Sequence, residues 1–298
     1  MALPATVVAQ RGSGPDPLVP ENATEQVATH TWVISDNNIG AVPNVGIVVG
    51  DRAALVIDPG LGRRNGETVL RELRKLTGTD EVYIASTHYH AEHTSGYVAF
   101  PPSANYVNSI VQEQEFAESG MGFIARFASR TPIMAELLRG AERRTADVTF
   151  DREYALDLGG VTVQFLVVGP THTRGDTAFF VDGDAVLFSG DVVMNESFLA
   201  ANAGSSVTAW LAAFDAFDAM GPGVIVPAHG ERGGSSLIGV QRGTMLAIQT
   251  RARELKTAGR SADETADIVL TEQQALHPAW GRSNGVAALA RVAWNDVP

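Results

Sequence analysis

The 298-residue chain has no cysteine. That absence excludes disulfides, thiolate metal ligands and thiol nucleophiles together, and leaves the redox compartment open. Positive charge is scarce: 22 Lys and Arg stand against 34 Asp and Glu, a formal net charge of -12. Such a surface repels phosphate backbones and anionic lipid, so neither nucleic acid nor membrane is expected as a partner; a small-molecule substrate is. No apolar run reaches membrane-spanning length. There is no G-x-S-x-G nucleophile turn and no Walker loop. The stretch GLGRRNG (60–66) follows a strand-like LVID, but its glycines are misspaced for a dinucleotide turn and it reads as a loop. The opening MALPATVVAQ carries a short apolar patch without a basic region before it. It reads as a frayed terminus, with the stub of a removed signal peptide as the alternative, so the compartment, cytoplasmic or exported, stays open.

With 45% hydrophobic and 19% charged residues, the chain can bury a sizeable core. Residues 1–28, ending in RGSGPDPLVPEN and a few polar positions, read as a flexible lead-in, and residues 29–298 as one large domain that closes in helices. THTWVI, VGIVVG and AALVID are short apolar runs parted by turn residues, as in a meander. GETVLRELRKLTG sets Val69, Leu70, Leu73 and Leu76 at helical spacing, and EVYIAST is a buried strand. Residues 110–144 are helical by pattern. EYALDLG, VTVQFLVVG, TAFFVDG and AVLFSGD return to strands, SVTAWLAAFDAFDAM is a helix, GVIVPAHG a last strand, and from Ser236 onward the chain reads as helices. Two halves, each of strands followed by helix, predict an α/β fold: a four-layer αββα sandwich.

Three of the seven histidines crowd into THYHAEHTSG (87–96). Close imidazoles repel when protonated, so stability gives no reason to assemble them; metal binding does. His88 and His90, two apart in extended backbone, project to one side. His172, just past VTVQFLVVG, would complete a three-nitrogen site. Glu92, His93 and His229, the last just past GVIV, could hold a second ion, and Asp191, just past AVLF, could bridge the two. Two ions, zinc first with iron or manganese as alternatives, about 3.5–4 Å apart would give a hydroxide nucleophile near neutral pH. His30 and His277 stand outside any cluster and read as packing or surface residues.

With these residues in view, the sequence resembles the metallo-β-lactamase-fold hydrolases. THYHAEH looks like that family's HxHxDH motif. DPG (58–60), GPTHTRGD around His172, FSGD at Asp191 and PAHG at His229 resemble the other four, in family order over roughly residues 29–232. The resemblance implies that His88, His90 and His172 hold one zinc ion, that Glu92, His93 and His229 hold a second, and that Asp191 bridges them. Glu92 and Asp191 would also be the catalytic carboxylates. Asp58 would orient a ligand by hydrogen bonding, with a turn-forming role as the alternative. Glu92 stands where the family has aspartate, and the longer carboxylate must fold back or shift the second ion.

Family β-lactamases have Cys or Ser at the place of Asp191. The resemblance therefore implies a metal-dependent hydrolase of an ester, thioester, lactone or amide. The alternatives are β-lactamase-like activity, a mononuclear iron oxygenase of the persulfide dioxygenase kind, and a degenerate metal-binding module. Residues 110–144, with Phe123 and Phe127, could cap the site over an apolar acyl group, or serve as core or a homodimer contact. Arg126, Arg130, Arg139, Arg143 and Arg144 in that stretch would receive an anionic substrate or form a solvated face.

Overall fold

The computed structural model describes residues 14–202 and 204–296; the MALPATVVAQ opening lies outside them. Seven strands form the first sheet in sequence order: β1 (Thr24–Gln26), β2 (Thr31–Ile34), β3 (Val45–Val49), β4 (Ala54–Ile57), β5 (Val82–Ala85), β6 (Asn105–Ser109) and β7 (Val148–Phe150). The first four pair antiparallel and the last four parallel. Between β4 and β5 runs α1 (Gly62–Leu76), and α2 (Ala91–Thr94) follows β5. Between β6 and β7 lie α3 (Ile110–Glu115), a π-helical turn (Phe116–Gly120), α4 (Met121–Ala128) and α5 (Pro132–Leu137). The second sheet contains β8 (Glu153–Asp157), β9 (Thr162–Val167), β10 (Thr177–Val181), β11 (Val186–Gly190) and β12 (Val224–Pro227), with β12 parallel to β11 at one edge. Helix α6 (Val207–Met220) links β11 to β12, and α7 (Ser236–Thr257), α8 (Ala262–Leu276) and α9 (Asn284–Asp296) close the chain.

Side chains alternate across a strand, and here both faces are buried. On β4, Ala54 and Val56 pack outward with Val69 and Leu73 of α1. Leu55 and Ile57 point inward, where Phe165, Phe179 and Phe188 of the second sheet meet them. On the far side, Ala178, Leu187 and Ile225 pack against Trp210 and Phe214 of α6, Met245 of α7 and Leu289 of α9. The result is the helix–sheet–sheet–helix layering that the sequence predicts.

Two details differ from the sequence expectation. Residues 14–28 include packed chain: β1 pairs with β2, Val19 is buried, and its N–H donates to Asn65 Oδ1 at 2.8 Å. Pattern alone could not show this, because a three-residue strand has no measurable period. Helix α1 also begins at Gly62, inside the stretch read as a loop. Glycines are poor helix formers, but tertiary contacts override propensity here. Gly62 N–H donates to Ser95 Oγ at 2.8 Å, and Asn65 donates to the carbonyls of Pro17 and Leu61 at 2.9 Å each.

The same corner sets the histidine loop. Gly96, three residues past His93, donates its N–H to the Gly60 carbonyl at 2.8 Å. A Cβ on Gly96 would lie 2.2 Å from the Pro59 carbonyl oxygen, a backbone atom that cannot swing away. Gly96→Ala is therefore expected to destabilise the protein by about 1–3 kcal/mol through overpacking, read as a lower denaturant midpoint with an unchanged slope.

Candidate metal centre

Loops at the carboxyl ends of four strands deliver the polar residues. β5 runs into Ser86 to His90 and then α2, which carries Glu92 and His93. β9 leads to His172, β11 directly to Asp191, and β12 to His229. All seven predicted residues come together, and each is buried or nearly so. His88, His90 and His172 form one set and Glu92, His93 and His229 another; within each set the candidate ligand atoms lie within 4.8 Å of one another. Asp191 lies between the sets, its Oδ2 3.5 Å from His172 Nε2 and its Oδ1 4.0 Å from His229 Nε2.

The hydrogen-bond network assigns the imidazole tautomers. His172 Nδ1–H donates to the Ala200 carbonyl at 2.5 Å and His229 Nδ1–H to the Val42 carbonyl at 2.8 Å. Thr87 donates its N–H and its hydroxyl to Asp58 at 2.7 and 2.9 Å, so Thr87 Oγ1 is left to accept from His88 Nδ1 at 3.2 Å. Each of these rings then turns a bare Nε2 lone pair inward. His88 Nε2 lies 3.0 Å, and His172 Nε2 3.3 Å, from His90 Nδ1. A tetrahedral ion with nitrogens at about 2.0–2.1 Å separates its ligands by about 3.3 Å, so the first set fits a small transition metal. Among the described residues seven buried side-chain atoms lack a hydrogen-bond partner, and four belong here: His90 Nε2, Glu92 Oε2, His93 Nε2 and Asp191 Oδ1. Unpaired buried polar atoms are costly, and their concentration at one place fits a cation-binding role.

Electrostatics follow from burial and neighbours. His88 and His90 are held well below the usual imidazole range, first by burial and then by the surrounding imidazoles, so both are neutral and fit to ligate. Burial pulls His93 down too, but the Asp58 carboxylate, accepting from His93 Nδ1 at 2.9 Å, outweighs it and raises His93 to about 9. An ion arriving at the second set must displace that proton. Burial pushes Asp191 up, yet Arg282, His172 and His229 hold its carboxyl well below the usual range.

Asp58 fills both roles weighed for it. Its backbone sits in the left-handed region, φ +57°, at the turn before Pro59, and its carboxylate fixes Thr87 and His93. Of the remaining histidines, His30 bonds Asp184 at 3.0 Å and His277 stacks on Trp280 with ring centroids 4.1 Å apart, both away from the cluster.

A family model described as the metallo-beta-lactamase superfamily matches residues 39–229, more than half of the chain. The chain belongs to the metallo-beta-lactamase superfamily. The matched segment contains all seven candidate ligands and ends on His229. No curated protein sequence matches. Among solved structures, a metallo-beta-lactamase from Pontibacter korlensis aligns with a TM-score of 0.60 at 20% identity, covering 74% of this chain and 96% of its own. The DIM-1 metallo-beta-lactamase aligns at 0.58 and 18%, covering 76% and 97%. The inverting sec-alkylsulfatase Pisa1 from Pseudomonas sp. aligns at 0.70 and 16%; it covers 92% of this chain, which in turn spans about half (50%) of the alkylsulfatase. At these identities the likeness is one of fold.

Two cavities flank the superfamily site. One, of about 610 Å³, is lined by Glu92 and His229 of the second set together with Ile39, Glu196, Glu231 and Arg282. The other, of about 470 Å³, opens at His172 of the first set beside Tyr89, Phe123, Arg126, Arg174 and Asn202. Both are of ligand size. The α3–α5 insertion does reach the centre: Phe123 stacks on His90 with centroids 3.9 Å apart and planes at 7°. Arg126 lies over Phe123 and Arg130 over Phe127, whereas Arg143 and Arg144 pair with Glu113 and Asp147. Sequence reasoning missed Arg282, whose Nη2 donates to Asp191 Oδ2 at 2.7 Å. No motif marks it, because only the packing of the carboxyl-terminal helices brings it to the site.

Proposed function

We propose that the chain is a two-metal hydrolase, with zinc as the ion, acting on an ester, thioester, lactone or amide. The observation that carries this reading is the pair of ligand sets placed side by side, with Asp191 between them and their lone pairs turned to one centre. His88, His90 and His172 would hold one ion and Glu92, His93 and His229 the other. Bound ions would supply a water activated at neutral pH and a Lewis acid for the scissile carbonyl. The chain's own part is to hold the imidazoles in one tautomer through Ala200, Val42, Thr87 and Asp58, and to exclude bulk water with Phe123.

Asp191 at the junction supports poor β-lactam turnover relative to ester, thioester or lactone turnover. The completeness of the second set speaks against a one-ion oxygenase and against a degenerate module. Sulfate esters form a second reading. The alkylsulfatase fold covers 92% of this chain, so most of the carboxyl-terminal helices have counterparts there. Elemental analysis and a panel of esters, thioesters, lactones, β-lactams and sulfate esters on one sample test the proposal. A folded, unchelated protein without metal, or turnover of β-lactams alone, would sink it.

Glu92 offers a sharper check. Its Oε2 is buried without a partner and belongs to the second set. With the loop fitted to glutamate, as we propose, Glu92→Asp is expected to lose about 10-fold in affinity for the second zinc because the shorter side chain falls short. Glu92→Gln should lose more turnover by removing the charge. Stepwise zinc titration with parallel rates reads both; tighter binding in Glu92→Asp would show that glutamate is a tolerated defect.

A further inference from the structure

The superfamily segment ends at His229, yet one residue from beyond it enters the centre. Arg282 lies in the loop between α8 and α9, locked to the loop after Asp191. Gly281 N–H donates to the Glu196 carbonyl at 3.0 Å and Phe198 N–H to the Gly281 carbonyl at 3.1 Å. Arg282 itself takes a left-handed backbone, φ +57°, which a non-glycine residue keeps only where its surroundings over-determine it. The outcome of that strain is the placement of its side chain. One Nη2–H reaches Asp191, Nη1 has only the Met194 sulfur at 3.9 Å, and about a third of the side chain (32%) is exposed. It lines the larger cavity beside Glu92 and His229 and is the only Lys or Arg among that cavity's lining residues.

A guanidinium beside a cation site has to be accounted for. Asp191 is its carboxylate partner, at 2.7 Å. Under the function proposed above, the ions share the Asp191 charge, and the guanidinium is left with undercompensated charge and N–H donors free of any oxygen partner. We infer that Arg282 is a specificity-determining residue that receives an anionic oxygen group, a carboxylate or a sulfate, carried by the substrate close to its scissile bond. The acidic surroundings bound the group. Asp36 is occupied by the amides of Asn38 and Gly230, but the exposed Glu196 and Glu231 stand at the cavity wall. They and the net charge of -12 turn away polyanions, so a single anionic group fits. The carboxyl-terminal helices thereby act as a specificity element added to the superfamily core.

The test compares matched substrates on the zinc-loaded protein: a neutral ester, the isosteric ester bearing one carboxylate, and a sulfate monoester of the same alcohol. Wild type is expected to favour an anionic member over the neutral one by at least about tenfold in kcat/KM, mainly through KM; which anionic member leads identifies the group. Arg282→Met should reduce the anionic-to-neutral ratio by about 10- to 100-fold, the range for a hydrogen bond to a charged group, and weaken competitive inhibition by benzoate in parallel. Because the readout is a ratio, any loss common to all substrates through Asp191 cancels. Arg282→Lys keeps the charge without the fork and should retain part of the ratio, which also serves if the Met variant does not fold. A wild-type ratio near one, or a ratio unmoved in either variant, overturns the inference. A protein that holds no zinc and hydrolyses nothing fails the functional reading instead.

Discussion

Replacing His88 with alanine is expected to abolish metal binding at the first set and to lower hydrolysis of a verified substrate by about 10³-fold, the loss of roughly 4 kcal/mol of transition-state stabilisation. His88 is fully buried and contributes the nitrogen nearest His90 Nδ1, at 3.0 Å. Its neighbours cannot substitute. The His90 ring is stacked on Phe123, and His172 Nδ1 is tied to the Ala200 carbonyl. The fold should survive, because the rings packed on His88 are those of His90, His93 and His172, whose crowding is relieved. Zinc content by elemental analysis and single-substrate rates give the answer; wild-type rates in this variant would show the site is elsewhere.

Removing the Asp58 carboxylate should have the largest effect on stability. Asp58→Ala leaves the buried Thr87 N–H, the Thr87 hydroxyl and His93 Nδ1–H without their acceptor. Breaking a buried, hydrogen-bonded charge pair costs about 3–5 kcal/mol. The left-handed backbone at this position, φ +57°, adds strain for alanine that aspartate and asparagine tolerate better. Asp58→Asn should therefore lose markedly less. Zinc affinity should fall as well, by about 10- to 100-fold, because His93 would lose the bond that orients its ring. Urea unfolding of the chelated protein separates the stability loss from the metal loss; an Asp58→Ala variant as stable as wild type would refute this account.

The candidate site was legible in the sequence because its residues sit at the ends of apolar strands. A histidine two past another in extended chain declares its side, and a strand that ends in FSGD or PAHG declares where its polar residue emerges. The layering was legible for the same reason: strands such as β4 are apolar on both faces, which only a sheet covered on both sides requires. What stayed hidden depended on contacts with no local period. The start of α1 at Gly62 rests on Asn65 and Ser95, β1 rests on its neighbour, and Arg282 reaches Asp191 through a loop tied to Glu196 and Phe198. Phe123 was visible as an apolar residue in a capping stretch, but its stacking on His90 is a long-range contact that no local pattern marks.

Each candidate ligand set draws on both sheets. His88 and His90 follow β5 of the first sheet, whereas His172, 82 residues beyond His90, follows β9 of the second. Glu92 and His93 likewise share their centre with His229, which follows β12. Neither set is complete until chain segments far apart in sequence have met, and such closures come late in folding and cost loop entropy. During synthesis the amino-terminal half therefore emerges with two residues of each set, His88 and His90 of the first and Glu92 and His93 of the second. In the proposed centre, metal acquisition would then follow folding: a chain that stalls before His172 leaves the ribosome has neither set complete.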